Sequence, residues 1–350
     1  MRNLNRLYER LNRDAGKALV VQTAFLGDVV LLTPLLKAIR SRFPKLQLWC
    51  LVRESLAEIV RGWVDEIITI DKDKATSDDW EALIQTISRI GFTVSWSPHR
   101  SFRSGYLLYK ANIPVRIGFN RGGGSLFMTH KVNYPVGVYE GLRNLALLGE
   151  IPFSGDRIIP QLPISQEIIE KVNHWKQKWG LNNTPYFVIA PGSVWETKKW
   201  GADKYRDLSR IAYHLRGWVT VVVGSSSERG LGEKIGSDGT EIRTVNSCGE
   251  LSPLEVGALM ERAEVVVSGD TAAAHLATAV GVPQVIIYGS TAPRWGFFPF
   301  VPKAVAVGKN LWCRPCTDHG RHRCPLHQKP YCLENITPQE VWEIIESLIP

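Results

Sequence analysis

Four short segments carry side chains whose types and spacing suit the chemistry of a phosphorylated ligand. The run Val265-Val-Val-Ser-Gly-Asp270-Thr271-Ala272-Ala-Ala-His275 reads as a buried strand, a polar turn and the start of a small-residue helix. Asp270 and Thr271 stand where short polar side chains cap free helix amides. A helix start at the carboxyl end of a parallel strand is also a place for a phosphate. His275, five residues after Asp270, either faces that ligand or packs inside the helix. Pro191-Gly-Ser193-Val-Trp-Glu-Thr-Lys198-Lys199-Trp200 follows another apolar run and brings a lysine pair to a loop of small and polar residues. A lysine on such a loop can neutralise the charge of a phosphate. Glu228, just past the Val219–Val223 run, is placed to accept from ribose hydroxyls; by itself it is an ordinary exposed glutamate. Asp28 follows Gly27 in the turn after the first strand. It is either a helix N-cap or a base within reach of an attacking hydroxyl, and it can be both. Gly27 lets backbone approach a ligand closely.

These segments need strands that end together. The pattern from Ala18 is strand, turn and a helix over Val29–Phe43. Strands at Leu46–Leu51, Glu66–Ile70 and Thr93–Trp96 alternate with helices at Glu54–Trp63, Asp79–Ile90 and Tyr106–Ala111. Tyr186–Ala190 restarts the pattern, with helices at Asp203–Leu215 and Pro253–Arg262. The expectation is an α/β protein with two Rossmann-like βα domains, their parallel sheets facing a central cleft. The domains span residues 1–160 and 161–350, with a linker near Glu150–Ser165. A dehydrogenase is disfavoured because no G-x-G-x-x-G follows a strand, and no P-loop is present. Gly122-Gly-Gly124 reads as a flexible loop.

The chain has 350 residues, a net charge of +8 and 44% hydrophobic residues, which suits two globular domains and acidic partners. No run is long enough to span a bilayer and no signal-peptide core is evident, which places the protein in the cytosol. Nucleic acid is disfavoured, since basic residues are dispersed and no binding motif appears. His99-Arg100-Ser-Phe-Arg103 follows a strand, and Arg100, Arg103 and Arg121 can bind an anionic acceptor. Leu4, Leu7 and Leu11 share a helical face flanked by arginines. That face either rests on an anionic membrane or packs on its own domain. Cys313, Cys316, Cys324 and Cys332 contain one C-x-x-C pair. The favoured reading is a structural loop of reduced or disulfide-linked thiols, and a structural zinc is the weaker one. Cys50 and Cys248 read as buried apolar positions.

Ala24-Phe-Leu-Gly-Asp-Val-Val-Leu-Leu-Thr-Pro-Leu-Leu-Lys-Ala-Ile-Arg40 resembles the first motif of glycosyltransferase family 9, the ADP-heptose:lipopolysaccharide heptosyltransferases. Pro191–Trp200 resembles that family's phosphate loop and Ser268–Thr291 its Asp-Thr-x-x-x-His segment. The chain end at Asn335–Trp342 is similar to its closing helix, here 338–349. The likeness covers residues 18–349 in order. It implies the GT-B arrangement and transfer of heptose from ADP-heptose to a lipid-linked inner-core acceptor. It implies inversion without metal or cofactor, and peripheral membrane contact. Asp28 matches the proposed base and Lys198, two before the tryptophan, the phosphate lysine; Lys199 is then a solvated surface charge. Ser193, Glu228, Asp270, Thr271, Ala272 and His275 become donor contacts. Many members carry glycine at the position of Ala272, which leaves that turn open. Another sugar or acceptor, or a non-catalytic sugar-nucleotide binder, fits the same residues.

Overall fold

The computed structural model describes residues 2–13, 15–149, 159–236, 242–298 and 301–349. It divides into two compact units, Met1–Pro163 and Ile164–Pro350. Most of the expected linker near Glu150 lies outside the described residues.

In the first unit six strands form one parallel sheet: β1 (Gly16–Gln22), β2 (Leu46–Arg53), β3 (Glu66–Ile70), β4 (Val94–Ser97), β5 (Val115–Phe119) and β6 (His130–Val132). Their order is β3-β2-β1-β4-β5-β6. Ala18 on β1 pairs with Leu48 on β2 and with Val94 on β4. The chain therefore reverses its direction of sheet growth between β1 and β4, and ligands of open α/β sheets bind beyond such a point. Leu19, Val21 and Leu51 are fully buried against Ile87, Phe92 and Leu108 from the covering layer. Each such side chain contributes about 1.5–3 kcal/mol through burial.

The second unit repeats this plan with β7 (Tyr186–Ala190), β8 (Val219–Val222), β9 (Thr244–Asn246), β10 (Val266–Gly269), β11 (Gln284–Ile287) and β12 (Ala304–Val307). All pairs are parallel, in the order β12-β11-β10-β7-β8-β9. The reversal falls between β7 and β10. Phe187, Ile189, Val267 and Val285 pack with Trp200 and with Val341, Trp342 and Ile345 of the closing helix Pro338–Leu348. Trp200 also donates to the carbonyl of Ile336 at 3.0 Å, so its polar edge is satisfied as its ring is buried.

Two expectations give way, and one open alternative is decided. The helix expected over Val29–Phe43 is two helices, Leu26–Val30 and Thr33–Arg42, because Pro34 suits the first turn of a new helix and cannot continue an old one. The glycine run is not a flexible loop. It enters a short 3₁₀ turn, Gly123–Phe127, and a Cβ on Gly105 would stand 2.6 Å from the Gly124 carbonyl. The backbone of that turn lies directly on helix Phe102–Lys110. Finally, the apolar face of helix Arg2–Arg13 is used internally: Leu7, Tyr8 and Leu11 are buried, and the Tyr8 hydroxyl donates to Leu147 O at 2.5 Å. That leaves it no membrane-facing stripe. No helix among the described residues is long and apolar enough to cross a membrane.

Candidate functional site

In the second unit the polar residues gather beyond the carboxyl ends of β7, β8, β10 and β11. Lys198 ends the short turn Glu196–Lys198 after β7. Its Nζ lies 2.8 Å from Asp270 Oδ2 and donates to the Asp270 carbonyl at 3.0 Å. Both side chains are largely buried, 12% and 8% exposed. The buried Thr291 hydroxyl, after β11, donates to the same Asp270 oxygen at 2.8 Å. The result is a desolvated, hydrogen-bonded ion pair, whose loss of one partner costs about 3–5 kcal/mol. Lys199 differs: it pairs with exposed Glu196 at 2.5 Å on the surface.

Asp270 therefore does not cap the following helix, Ala272–Val280, and neither does Thr271, which is its extended N-cap residue without a side-chain cap bond. The sequence expectation of a capped helix is replaced by amides with no side-chain partner at Ala272 and Ala273, both partly exposed. Asp270 is drawn away because a buried ammonium and hydroxyl outcompete an amide for its charge. Ala272 meets no conformational penalty, since it lies within the helix and Asn112 is the one non-glycine with positive φ among the described residues. His275 is buried one turn in. Burial first, and Lys198 second, push its pKa down to about 4 against the pull of Asp270, so the ring is neutral at pH 7.

Glu228 closes a 3₁₀ turn after β8, and its Oε2 accepts from the Ser225 amide at 2.7 Å and the Ser225 hydroxyl at 2.9 Å. A Cβ on Gly192 would fall 1.6 Å from Glu228 Oε1, so glycine there is what lets the carboxylate lie over the loop after β7. Ser193 Oγ accepts from the Trp195 amide at 3.1 Å. Trp195 in turn packs on His322 of the cysteine-bearing loop, ring centroids 4.8 Å apart, and leaves no room for a side chain on Gly320.

That loop braces the site. Thr197 bonds Ser290 Oγ at 2.8 Å and exchanges hydrogen bonds with the backbone of Arg321. Arg314 donates to the carbonyls of Gly289 at 2.5 Å, Tyr288 at 3.0 Å and Thr291 at 3.0 Å. All six cysteines are free thiols, with Cys50 and Cys248 fully buried. Among the described residues no three His, Cys, Asp or Glu side chains converge to hold a metal ion. Burial lowers the pKa of the Arg314 guanidinium, which lies beside the cysteines of this loop.

In the first unit Asp28 lies in the first turn of helix Leu26–Val30, just beyond β1, and Gly27 before it is buried. The N-cap residue is Phe25 rather than Asp28, whose Oδ2 reaches back from the third helical position to accept from the Phe25 amide at 3.2 Å. Crowding by protein raises its pKa to about 6; the Glu140 charge adds to this, while the amides and Arg100 oppose it. Glu140, largely buried, pairs with buried Arg143. Cations surround the turn. Lys72 and Arg53 donate to the Thr23 carbonyl at 3.1 and 3.3 Å. His99 Nδ1 lies 2.9 Å from Ser104 Oγ and 3.3 Å from Thr23 Oγ1, and its pKa is pushed down to about 4 by burial and by Lys72, Arg100 and Arg53. Arg100 and Arg121 both stack on Tyr134, at 4.3 and 5.7 Å from the ring centre. Arg103 lies apart from that pair, over Trp80 at 5.0 Å. Sequence reading missed Arg53, Lys72, Tyr134 and Glu140. The signal for the first two was their place at the carboxyl end of β2 and just after β3, the two strands on one side of β1.

The model of glycosyltransferase family 9 (heptosyltransferase) matches residues 80–327. Lipopolysaccharide heptosyltransferase 1 of Pseudomonas aeruginosa is 23% identical over 366 aligned positions, covering 95% of this chain and 98% of its own. Lipopolysaccharide heptosyltransferase 2 of Salmonella typhimurium is also 23% identical, with the same coverage. Among solved structures, the Escherichia coli ADP-heptose lps heptosyltransferase II superposes with a TM-score of 0.77 at 20% identity, covering 95% of this chain and 98% of that one. Two parallel βα units of this kind are the GT-B fold, and the family match, spanning most of the chain, fixes the class of chemistry. The chain belongs to glycosyltransferase family 9 and is a glycosyltransferase.

Proposed function

We propose that this enzyme transfers a heptose from ADP-heptose to the inner core of a lipid-linked lipopolysaccharide acceptor, with inversion and without a metal ion. The observation that carries this reading is Asp28, a carboxylate crowded to a pKa of about 6 in a nest of cations. A base poised just below neutral pH takes a proton from an attacking hydroxyl while resting ionised. Lys72, Arg100 and Arg121 give the anionic groups of an inner core their counter-charges, and Arg103 extends them.

The donor belongs to the second unit. The uncapped helix start at Thr271-Ala272-Ala273 offers amides to the diphosphate, with Lys198 as the adjacent cation. Lys198 takes the part that a divalent ion plays elsewhere, neutralising charge as the glycosidic bond to the diphosphate breaks. Neutral His275 can donate one hydrogen bond without adding charge. Glu228 accepts from the ribose hydroxyls, and Ser193 donates to a phosphate oxygen. Attack on the heptosyl carbon opposite the diphosphate is one displacement, which inverts that centre. The names of the relatives support the sugar and the acceptor.

Incubation with a panel of nucleotide sugars and a lipopolysaccharide inner-core acceptor tests this directly. ADP release and product formation are expected with ADP-heptose and to persist in EDTA. Faster turnover of another nucleotide sugar, or strict dependence on added magnesium, overturns the donor or the metal-free scheme respectively.

A further inference from the structure

We propose that the aromatic face of helix Phe102–Lys110, together with turn Gly123–Phe127, docks on an anionic lipid bilayer. Four large apolar side chains stand in the open there: Phe102 is 56% exposed, Tyr106 39%, Tyr109 51% and Leu126 72%. They form one surface, because Phe127 touches three of the rings. Its centroid lies 5.0 Å from Phe102, 5.7 Å from Tyr106 and 5.7 Å from Tyr109. Phe102 and Tyr106 also stack at 6.0 Å. Soluble proteins seldom leave such a contiguous patch uncovered without a partner for it.

The platform is rigid before any partner arrives. Gly105 and Gly124 bring the helix and the turn into backbone contact, and the Gly124 amide donates to the Arg100 carbonyl at 3.0 Å. Little conformational freedom is therefore left to lose on docking.

Charge selects the occupant. From residue 82 to residue 139 the sequence has no Asp or Glu, while it has seven cations: Arg89, Arg100, Arg103, Lys110, Arg116, Arg121 and Lys131. Lys110 and Arg116 border the aromatic face itself, over Tyr106 at 5.7 Å and Tyr109 at 5.6 Å. A second copy of the chain would bring the same positive sign against this one. Anionic headgroups bring the opposite sign, with tyrosine rings at headgroup level and Leu126 and Phe102 reaching the acyl boundary. Helix Arg2–Arg13, the other basic amphipathic element, has already buried its apolar face. This surface deepens the reading that the acceptor is lipid-linked, and its test does not depend on turnover.

The full chain is sedimented with vesicles of phosphatidylglycerol and phosphatidylethanolamine, and separately with phosphatidylcholine vesicles. Binding to the anionic vesicles, weakened by salt and about ten-fold or more above phosphatidylcholine, is the expected result. The Tyr109→Ser/Leu126→Ser double variant and Lys110→Glu should each lose most of that binding. Both should keep the wild-type melting temperature and ADP affinity. Equal partition to both vesicle types, or undiminished binding of well-folded variants, overturns the proposal. So does a concentration-dependent dimer, or tighter capture of a single-stranded oligonucleotide, that the double variant abolishes. Vesicle binding without heptose transfer leaves this surface standing and sinks the reading of the reaction; transfer to a delipidated acceptor without vesicle binding does the reverse.

Discussion

Each βα unit of this glycosyltransferase places an aspartate beyond its sheet, near the point where strand order reverses, and the two are treated differently. Asp270 in the second unit is neutralised, by Lys198 at 2.8 Å and the Thr291 hydroxyl at 2.8 Å. Asp28 in the first unit has the Phe25 amide and the attraction of Arg100, but burial and Glu140 outweigh them and lift its pKa to about 6. A neutralised acid holds its partner lysine in place for a leaving group. A frustrated acid is available to take a proton. The same strand order thus supports opposite electrostatic designs, set by residues far apart in sequence.

The largest effect should come from removing the frustrated acid. Asp28→Asn is expected to slow transfer about 10²–10⁴-fold, the usual worth of a general base. It should also stabilise the protein. Because the folded pKa lies above the unfolded one, the protonated form is the favoured one in the folded state. The stability this gives is present below the unfolded value, near 4, and is lost as pH rises through 6. At pH 7.5 the ionised carboxylate therefore costs up to about 3 kcal/mol, which the amide does not incur. A higher melting temperature at pH 7.5, shrinking to nothing by pH 4, checks this; a lower one at pH 7.5 would show that the cap bond to Phe25 outweighs desolvation.

Lys198→Met should cost comparably in turnover, about 10²–10³-fold, but with the opposite effect on folding. It leaves Asp270 buried and unpaired, a loss of about 3–5 kcal/mol. Adding Asp270→Asn should restore much of the stability and none of the activity, as thermal melts and initial rates would show. If activity returned with stability, Lys198 would be a packing residue.

A smaller, graded effect is the pH profile. kcat/KM for wild-type enzyme should fall as pH drops through about 6, where Asp28 takes up its proton. His275, already neutral, should add no inflection near 6.5. Smallest is Glu228→Gln, which keeps the Ser225 hydrogen bonds in part and removes the charge offered to ribose. A several-fold rise in donor KM with kcat nearly unchanged is expected, the mark of lost uniform binding.

The sheets were largely legible in the sequence because buried parallel strands are near-continuous apolar runs, as at Ala18–Val21, Tyr186–Ala190 and Val265–Val267. Lys198 was legible through the tryptophan that follows it, whose ring anchors the loop to the core. The break at Pro34 was not, since apolar spacing continues across it from Leu31 to Ile39. Nor was the state of Asp28. Glu140 stands 112 positions away, and only the fold brings its charge to bear. Asp270 misled for a related reason: local sequence favours a cap, but Lys198, 72 residues earlier, takes the carboxylate. Leu126 and Phe127 gave no sign of a platform because glycine runs look alike whether they are loose or pressed against a helix.

The division of labour between the two acids is tested most directly by measuring ADP affinity and single-turnover transfer on the same preparations of Asp28→Asn and Lys198→Met. ADP affinity unchanged in the first and weakened in the second, with transfer slowed in both, is the predicted result. An Asp28→Asn enzyme that loses ADP affinity as much as it loses rate, or one that transfers within about ten-fold of wild type, would contradict it.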